Sequence, residues 1–249
     1  MAKKESELGN NVEKSIILFL NKKKLYEIKD SRLKNLIKEF ASKNNLEGEN
    51  YTITCQKYVK RNLLTKGNPK VDLTIELNKL ALNISIKSGQ GNSLHEEPKD
   101  TFLNFLISRK FLNKDISLIS KHLKEPIDIR NSNIATLFKK NKKEIIQRVL
   151  NGRFNTNESQ VDYYYAIKTT KNLNSLDYDK TIIDGYYATK NDVFNYMINQ
   201  DNKKNGRSTT CEVGILTYQS YNRNKGSKPQ FKWGNPYIDL KKIWEENEK

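Results

Sequence analysis

The chain has 249 residues, 45 of them Lys or Arg against 29 Asp or Glu, for a formal net charge of +16 and room for a sizeable core. Its longest apolar run, Ile16 to Leu20, falls far short of the roughly 20 residues of a bilayer span, and Met1-Ala-Lys-Lys-Glu5 lacks the apolar core of a signal peptide. Two distant cysteines, Cys55 and Cys211, exclude a disulfide scaffold, and with only His95 and His122 to add they do not make a zinc finger, so reduced thiols in a cytoplasm are the simplest setting.

Residues 10 to 21 read as a helix, with Val12, Ile16, Phe19 and Leu20 on one face and Asn10 or Asn11 as its cap. A second helix is predicted from Ser31 to about Ser42, with Leu33, Leu36, Ile37 and Phe40 inward. Residues 51 to 59 read as a strand. Val71, Leu73, Ile75 and Leu77 alternate with Asp72, Thr74 and Glu76, and Leu82, Ile84 and Ile86 alternate with Asn83, Ser85 and Lys87. Period two makes each stretch a strand with one apolar and one polar face. The short link at Asn78-Lys79 predicts an antiparallel hairpin.

Gly89-Gln-Gly91-Asn92 reads as a loop, followed by a helix from about Pro98 with Phe102, Leu103, Phe105 and Leu106 as its stripe. A further helix is expected near 132 to 150, strands near 161 to 168, 211 to 219 and 229 to 233, and short helices at 189 to 199 and 238 to 246. Helices and strands are interspersed, which makes the fold class α/β or α+β. No repeat or linker tract divides the chain, so a single domain is expected over 1–249. Its catalytic core would lie at about 9–110 and its DNA-recognition elements within 130–235.

The hairpin has a geometric consequence. With Leu77 opposite Leu80, Asp72 faces Ser85 directly and Lys87 diagonally. Such pairs lie roughly 4.5–5.5 and 7–8 Å apart. Asp72, Ser85 and Lys87 then crowd one polar patch at the end of the hairpin. A slip of one residue would send the apolar set to the wrong face, so the register is pinned. The plain alternative for Asp72 and Lys87 is a solvated strand face.

Pro69-Lys-Val-Asp72 followed by Ser85-Ile-Lys87 resembles the PD-(D/E)xK nuclease motif, the signature of most type II restriction endonucleases. The resemblance covers about residues 68 to 97. It implies a central mixed sheet flanked by helices, with the hairpin at the active-site edge. It also implies Mg²⁺ held by Asp72 and the backbone carbonyl of Ile86, with Lys87 orienting the attacking water. The chemistry calls for these groups. Phosphodiester hydrolysis needs a hydroxide near neutral pH and a counter-charge on the phosphate, and a carboxylate-held metal with a nearby ammonium supplies both.

Ser85 stands where the motif has a carboxylate, and a hydroxyl is a poor Mg²⁺ ligand. Some members of the family carry Ser there and recruit a Glu from a downstream helix. Glu96 and Glu97 are the local candidates. Ser93-x-x-Glu96 fits a capping box, which leaves Glu97 favoured; charge at a helix N-terminus is the other reading of both. Gly9-Asn-Asn-Val-Glu13 resembles the first helix of many such nucleases, which aims a Glu at the metal, and this makes Glu13 the second candidate. Its plain alternative is a solvent-facing helix charge.

The positive charge points to a polyanion, with solubility as the bland alternative. Lys203, Lys204 and Arg207 sit in a basic loop and hold phosphates in this reading. Gln219, Asn222, Arg223, Asn224 and Lys225 leave a strand for a loop that enters a groove, where Gln and Asn pair with adenine and Arg with guanine. Tyr163-Tyr-Tyr165 and Tyr186-Tyr187 read as strand core before base-stacking groups. His95 lies in the loop beside the site, and His122 has no evident partner.

The expected function is therefore a Mg²⁺-dependent, site-specific endodeoxyribonuclease of type II acting on double-stranded DNA. A homodimer is expected for paired cuts at a palindrome, with a cognate DNA methyltransferase encoded nearby. The alternatives are a non-catalytic nucleic-acid-binding protein and a structure-specific phage or repair nuclease.

Overall fold

The structure, a computed structural model, describes residues 2–57, 71–88, 92–125, 128–129, 133–152, 160–170, 176–200, 209–223 and 226–248. In chain order the elements are α1 (Ala2–Leu20), α2 (Ser31–Lys43), β1 (Ile53–Lys57), β2 (Leu73–Leu77), β3 (Leu80–Ser88), β4 (Asn92–Glu96), α3 (Lys99–Ser108), α4 (Asn113–Lys124), α5 (Asn133–Lys140) and α6 (Lys142–Asn151). There follow β5 (Tyr163–Thr169), α7 (Tyr178–Thr181), β6 (Ile182–Thr189), α8 (Lys190–Asn199), β7 (Thr210–Val213), β8 (Leu216–Arg223), β9 (Gly226–Trp233) and α9 (Pro236–Asn247). The class is mixed α/β, with a central mixed sheet flanked by helices. Among the described residues no helix is long and apolar enough to cross a membrane.

Two compact units are formed. The first comprises Met1–Gly89, Phe154–Val193 and Pro236–Lys249. Its five-stranded sheet has the order β1-β2-β3-β5-β6. Among the described residues of this sheet only β3 and β5 pair in parallel. Leu77 pairs with Leu80, the register the apolar alternation requires. Asn78 and Lys79 both have positive φ, the backbone of a type I′ hairpin turn. Val12, Ile16 and Leu20 of α1 and Leu33, Leu36 and Ile37 of α2 form one core with Leu73, Ile75, Leu82, Ile84, Tyr163 and Tyr165. The polar side of the hairpin is more buried than its alternation suggests. Thr74 and Asn83 are buried, and the Thr74 hydroxyl donates to Asn83 Oδ1 at 3.0 Å.

The second unit comprises Gln90–Arg153 and Phe194–Asn235. Its antiparallel sheet has the order β4-β9-β8-β7. Phe102 of α3 and Phe138 of α5 meet Phe231 of β9 edge-on or tilted, and Phe138 also meets Tyr218 of β8. Trp233, Tyr218 and Phe231 are completely buried.

Several elements differ from the sequence reading. α1 starts at Ala2, so Asn10 and Asn11 lie inside the helix and do not cap it. The helix expected near 132 to 150 breaks at Asn141, whose side-chain amide donates to Leu137 O and competes with the backbone ladder. Residues 92–96 form β4 instead of a loop, while Gly89, Gln90 and Gly91 lie outside the described residues. The stretch from Ser220 to Arg223 continues β8 where a loop was expected. α4 and β6 carry weak patterns. The buried stripe of α4 includes Asp115 and His122, and β6 has Gly185 at its centre.

Candidate active site

The end of the hairpin draws Asp72, Ser85 and Lys87 together. Asp72 N–H donates to Ile84 O at 2.9 Å, extending the β2–β3 ladder by one residue. Its carboxylate Oδ2 accepts from the Ser85 hydroxyl at 3.0 Å and from the Ile86 backbone N–H at 2.7 Å. The Lys87 ammonium lies 3.6 Å from the same oxygen. Lys87 Nζ also donates to Ser85 Oγ at 2.6 Å and to the Ile86 carbonyl at 2.9 Å. The Ser85 hydroxyl is thus a relay, accepting from the ammonium and donating to the carboxylate. Two buried or half-buried charges held this way share one low-dielectric corner of the sheet.

Glu13 joins this corner from α1. Val12 and Ile16 face the core, and Glu13, one step round from Val12, sits at the border of that stripe. α1 packs on β1, which ends at Lys57, and Lys57 pairs with Leu73, the neighbour of Asp72. Lys57 Nζ lies 3.0 Å from Glu13 Oε2, although that oxygen is buried and makes no hydrogen bond of ordinary geometry. Burial pushes the Glu13 carboxyl above the usual carboxylate range. The Lys57 ammonium works against this, and the negative charge of Asp72 adds to it.

Glu97 belongs to the second unit. Its carboxylate is fully buried. Oε2 accepts from the Arg148 guanidinium at 2.7 Å and Oε1 from Arg148 Nε at 3.3 Å. His95 Nε2 lies 2.9 Å from Oε1. Burial raises the Glu97 carboxyl, but the hydrogen bonds from His95 and Arg148 outweigh it and hold the group below the usual range. Its oxygens are committed to this pair. Glu96 is exposed and bonds to Gln230. The charges of Asp72 and Lys87 both act on Glu13. Lys57 is a member of this corner that the sequence reading missed. Its only signal was its place at the end of a predicted strand.

The donor set suits a hard cation. Among the described residues no group of three or more His, Cys, Asp or Glu is placed to hold a metal. Two carboxylates and the Ile86 carbonyl nevertheless offer oxygen alone, and Mg²⁺ is commonly held by one or two carboxylates with water and substrate phosphate. Glu13 Oε2, buried and facing the Lys57 ammonium, is an oxygen ligand of the kind such a cation takes. Cysteine chemistry is disfavoured, because burial pushes the thiols of Cys55 and Cys211 up to about 12.

The remaining residues separate as follows. His95 is buried in β4 beside Glu97, not in a loop. His122 is buried between the Tyr218 hydroxyl at 3.2 Å and Thr209 O at 3.3 Å. Tyr163, Tyr164, Tyr165, Tyr186 and Tyr187 are buried or nearly so. Gln219, Asn222 and Arg223 lie on β8. Lys203, Lys204, Arg207, Asn224 and Lys225 lie outside the described residues.

No family model matches the chain, and no curated protein matches it. Among solved structures, the fold is similar to that of restriction endonuclease MspI in complex with its cognate DNA. The TM-score is 0.50 at 17% identity, covering 80% of this chain and 77% of that one. At that identity the likeness is one of fold.

Proposed function

We propose that this chain is a Mg²⁺-dependent endodeoxyribonuclease that cuts double-stranded DNA at a specific sequence, in the manner of a type II restriction enzyme. The observation that carries the reading is the Asp72–Ser85–Lys87 cluster at the end of the β2–β3 hairpin, with Glu13 beside it. Likeness of fold to an endonuclease described with its cognate DNA, and a net charge of +16, support it.

In this reading Asp72, Glu13 and the Ile86 carbonyl hold the metal. When bound, Mg²⁺ lowers the pKa of a coordinated water and neutralises developing charge on the phosphate. Lys87 places a fixed positive charge beside the scissile phosphate and orients the water. Ser85 positions Lys87 relative to Asp72 and does not itself bind the metal. Glu13 takes the place of the carboxylate that the motif lacks at position 85. A homodimer would pair two such sites across a palindrome, and a cognate methyltransferase would protect the host sequence.

The test is cleavage of unmethylated phage DNA with Mg²⁺ and with EDTA. Discrete fragments with Mg²⁺ alone are expected. Full cleavage by Asp72→Ala or Lys87→Ala would overturn the assignment. A second reading, a non-catalytic DNA-binding protein, draws on Ser85 at the carboxylate position. It predicts salt-sensitive DNA binding and no cleavage under any divalent ion.

A further inference from the structure

The four strands of the second unit align two rows of polar side chains. Glu96 pairs with Gln230, Gln230 with Gln219, and Gln219 with Thr210. The adjoining row is Ser93, Lys232, Thr217 and Glu212. The residues between them on β8 and β9, Tyr218 and Phe231, are buried among Phe102 and Phe138. Side chains alternate across a strand, so the two polar rows share the face opposite that aromatic core. A bulge between Ser93 and His95 brings Ser93 and Glu96, three apart, onto the same face.

The first row is wired in one direction. An ionised carboxylate accepts hydrogen bonds and donates none. Glu96 therefore takes the side-chain NH₂ of Gln230, which also donates to Ser93 Oγ at 3.3 Å. Gln230 is then obliged to turn its Oε1 towards Gln219, and it accepts from Gln219 Nε2 at 2.5 Å. Gln219 is left with Oε1 and one N–H for a further partner. Among the described residues no donor reaches that Oε1. Reversing the Gln219 amide would set two carbonyl oxygens against each other.

We infer that the Glu96–Gln230–Gln219 row is a base-reading device, in which Glu96 fixes the Gln219 amide so that it selects adenine in the major groove. Adenine presents an N6 amino donor and an N7 acceptor, the complement of one amide oxygen and one amide N–H. Guanine presents N7 and O6, both acceptors, and meets the fixed Oε1 with repulsion. Lys228 and Lys232, two residues to either side of Gln230 on β9, share its face and suit the flanking phosphates. Gln219 is the contacting residue; Gln230 and Glu96 are positioning residues. The inference rests on the reading of the chain as a sequence-specific DNA enzyme.

The experiment is selection of bound sequences from a pool of random DNA duplexes, without divalent ion, using the full chain and two variants. The wild type is expected to enrich a sequence containing a fixed adenine. Gln219→Ala should lose about 10- to 100-fold of the preference at that one position and keep the others. Glu96→Gln frees the row to reverse and should shift the same position from adenine towards guanine. Both substituted residues are at least partly exposed, and unchanged thermal melting checks the fold. Unchanged preference in both variants overturns the inference, as does loss spread over every position. A wild type that enriches no sequence sinks the DNA-enzyme reading itself, a result distinct from variants that merely match the wild type.

Discussion

Glu13 of α1 feels the charge of Asp72, the residue just before β2: burial raises the proton affinity of Glu13, and the Asp72 charge adds to it. α2 and β1 lie between the two residues in sequence, and the packing of α1 on β1 brings them together. Like-charged carboxylates held near each other in a poorly solvated corner are costly alone and are relieved by a divalent cation.

Glu13 and Glu97 should therefore fail in different ways. Glu13→Gln is expected to lower Mg²⁺-dependent cleavage by about 100-fold or more while the protein stays folded. Glu97→Gln strips the half-buried Arg148 of its counter-charge and should cost about 3 kcal/mol of stability. Cleavage per folded molecule should survive it. Urea denaturation alongside initial cleavage rates separates the two, and loss of cleavage in a well-folded Glu97→Gln protein would reverse the assignment.

The same two groups set opposite pH trends. The pKa of Glu13 is raised on folding, so its contribution to stability is fullest below the ordinary value of 4.5 and is lost as pH rises through the raised value. That of Glu97 is lowered, so its contribution is present above 4.5 and is lost as pH falls through the depressed value. In EDTA at pH 7, Glu13→Gln should melt a few degrees above the wild type, on the order of 2–4 °C per kcal/mol for a chain of this size. The gain should vanish below 4.5. A variant less stable than wild type at pH 7 would show that the Lys57 ion pair outweighs burial.

Lys87 and Ser85 form a graded pair. Lys87→Ala should abolish cleavage to within about 100-fold of background yet leave DNA binding intact in a gel shift without metal. Ser85→Ala removes only the relay between ammonium and carboxylate. A smaller loss is expected, about 10-fold in rate, with about 1 kcal/mol of stability. Equal losses in the two variants would mean that Ser85 has a direct part in the chemistry.

Gly185 offers a purely structural test. A Cβ there would fall 2.5 Å from the Tyr165 hydroxyl. Tyr165 cannot swing away, because it is fully buried and its hydroxyl lies 3.4 Å from that of Tyr178, which donates to Asp30 at 2.8 Å. Gly185→Ala should cost about 1–3 kcal/mol by denaturant titration. No loss would show that the β5–β6 pair yields more readily than its packing implies.

What the sequence by itself determined was local. Strict alternation in β2 and β3, with a turn of two residues, admits one register, and that register alone puts Asp72 against Ser85 with Lys87 alongside. The periodic stripe at Leu33, Leu36 and Ile37 determined α2 in the same way, because side-chain period and backbone geometry are coupled over a few residues. Tertiary structure decided the partners of each glutamate. Glu97 is close in sequence to Lys87 but is drawn into a buried pair with Arg148, 51 residues further on. Glu13 is remote in sequence but is carried to the sheet by a helix whose apolar stripe must be covered. It also decided that Ser220 to Arg223 extend a strand past the predicted end at Gln219, since pairing with β9 satisfies their backbone. Local patterns specify hairpins and helices; the partners of a charged side chain depend on long-range burial, which no spacing along the chain encodes.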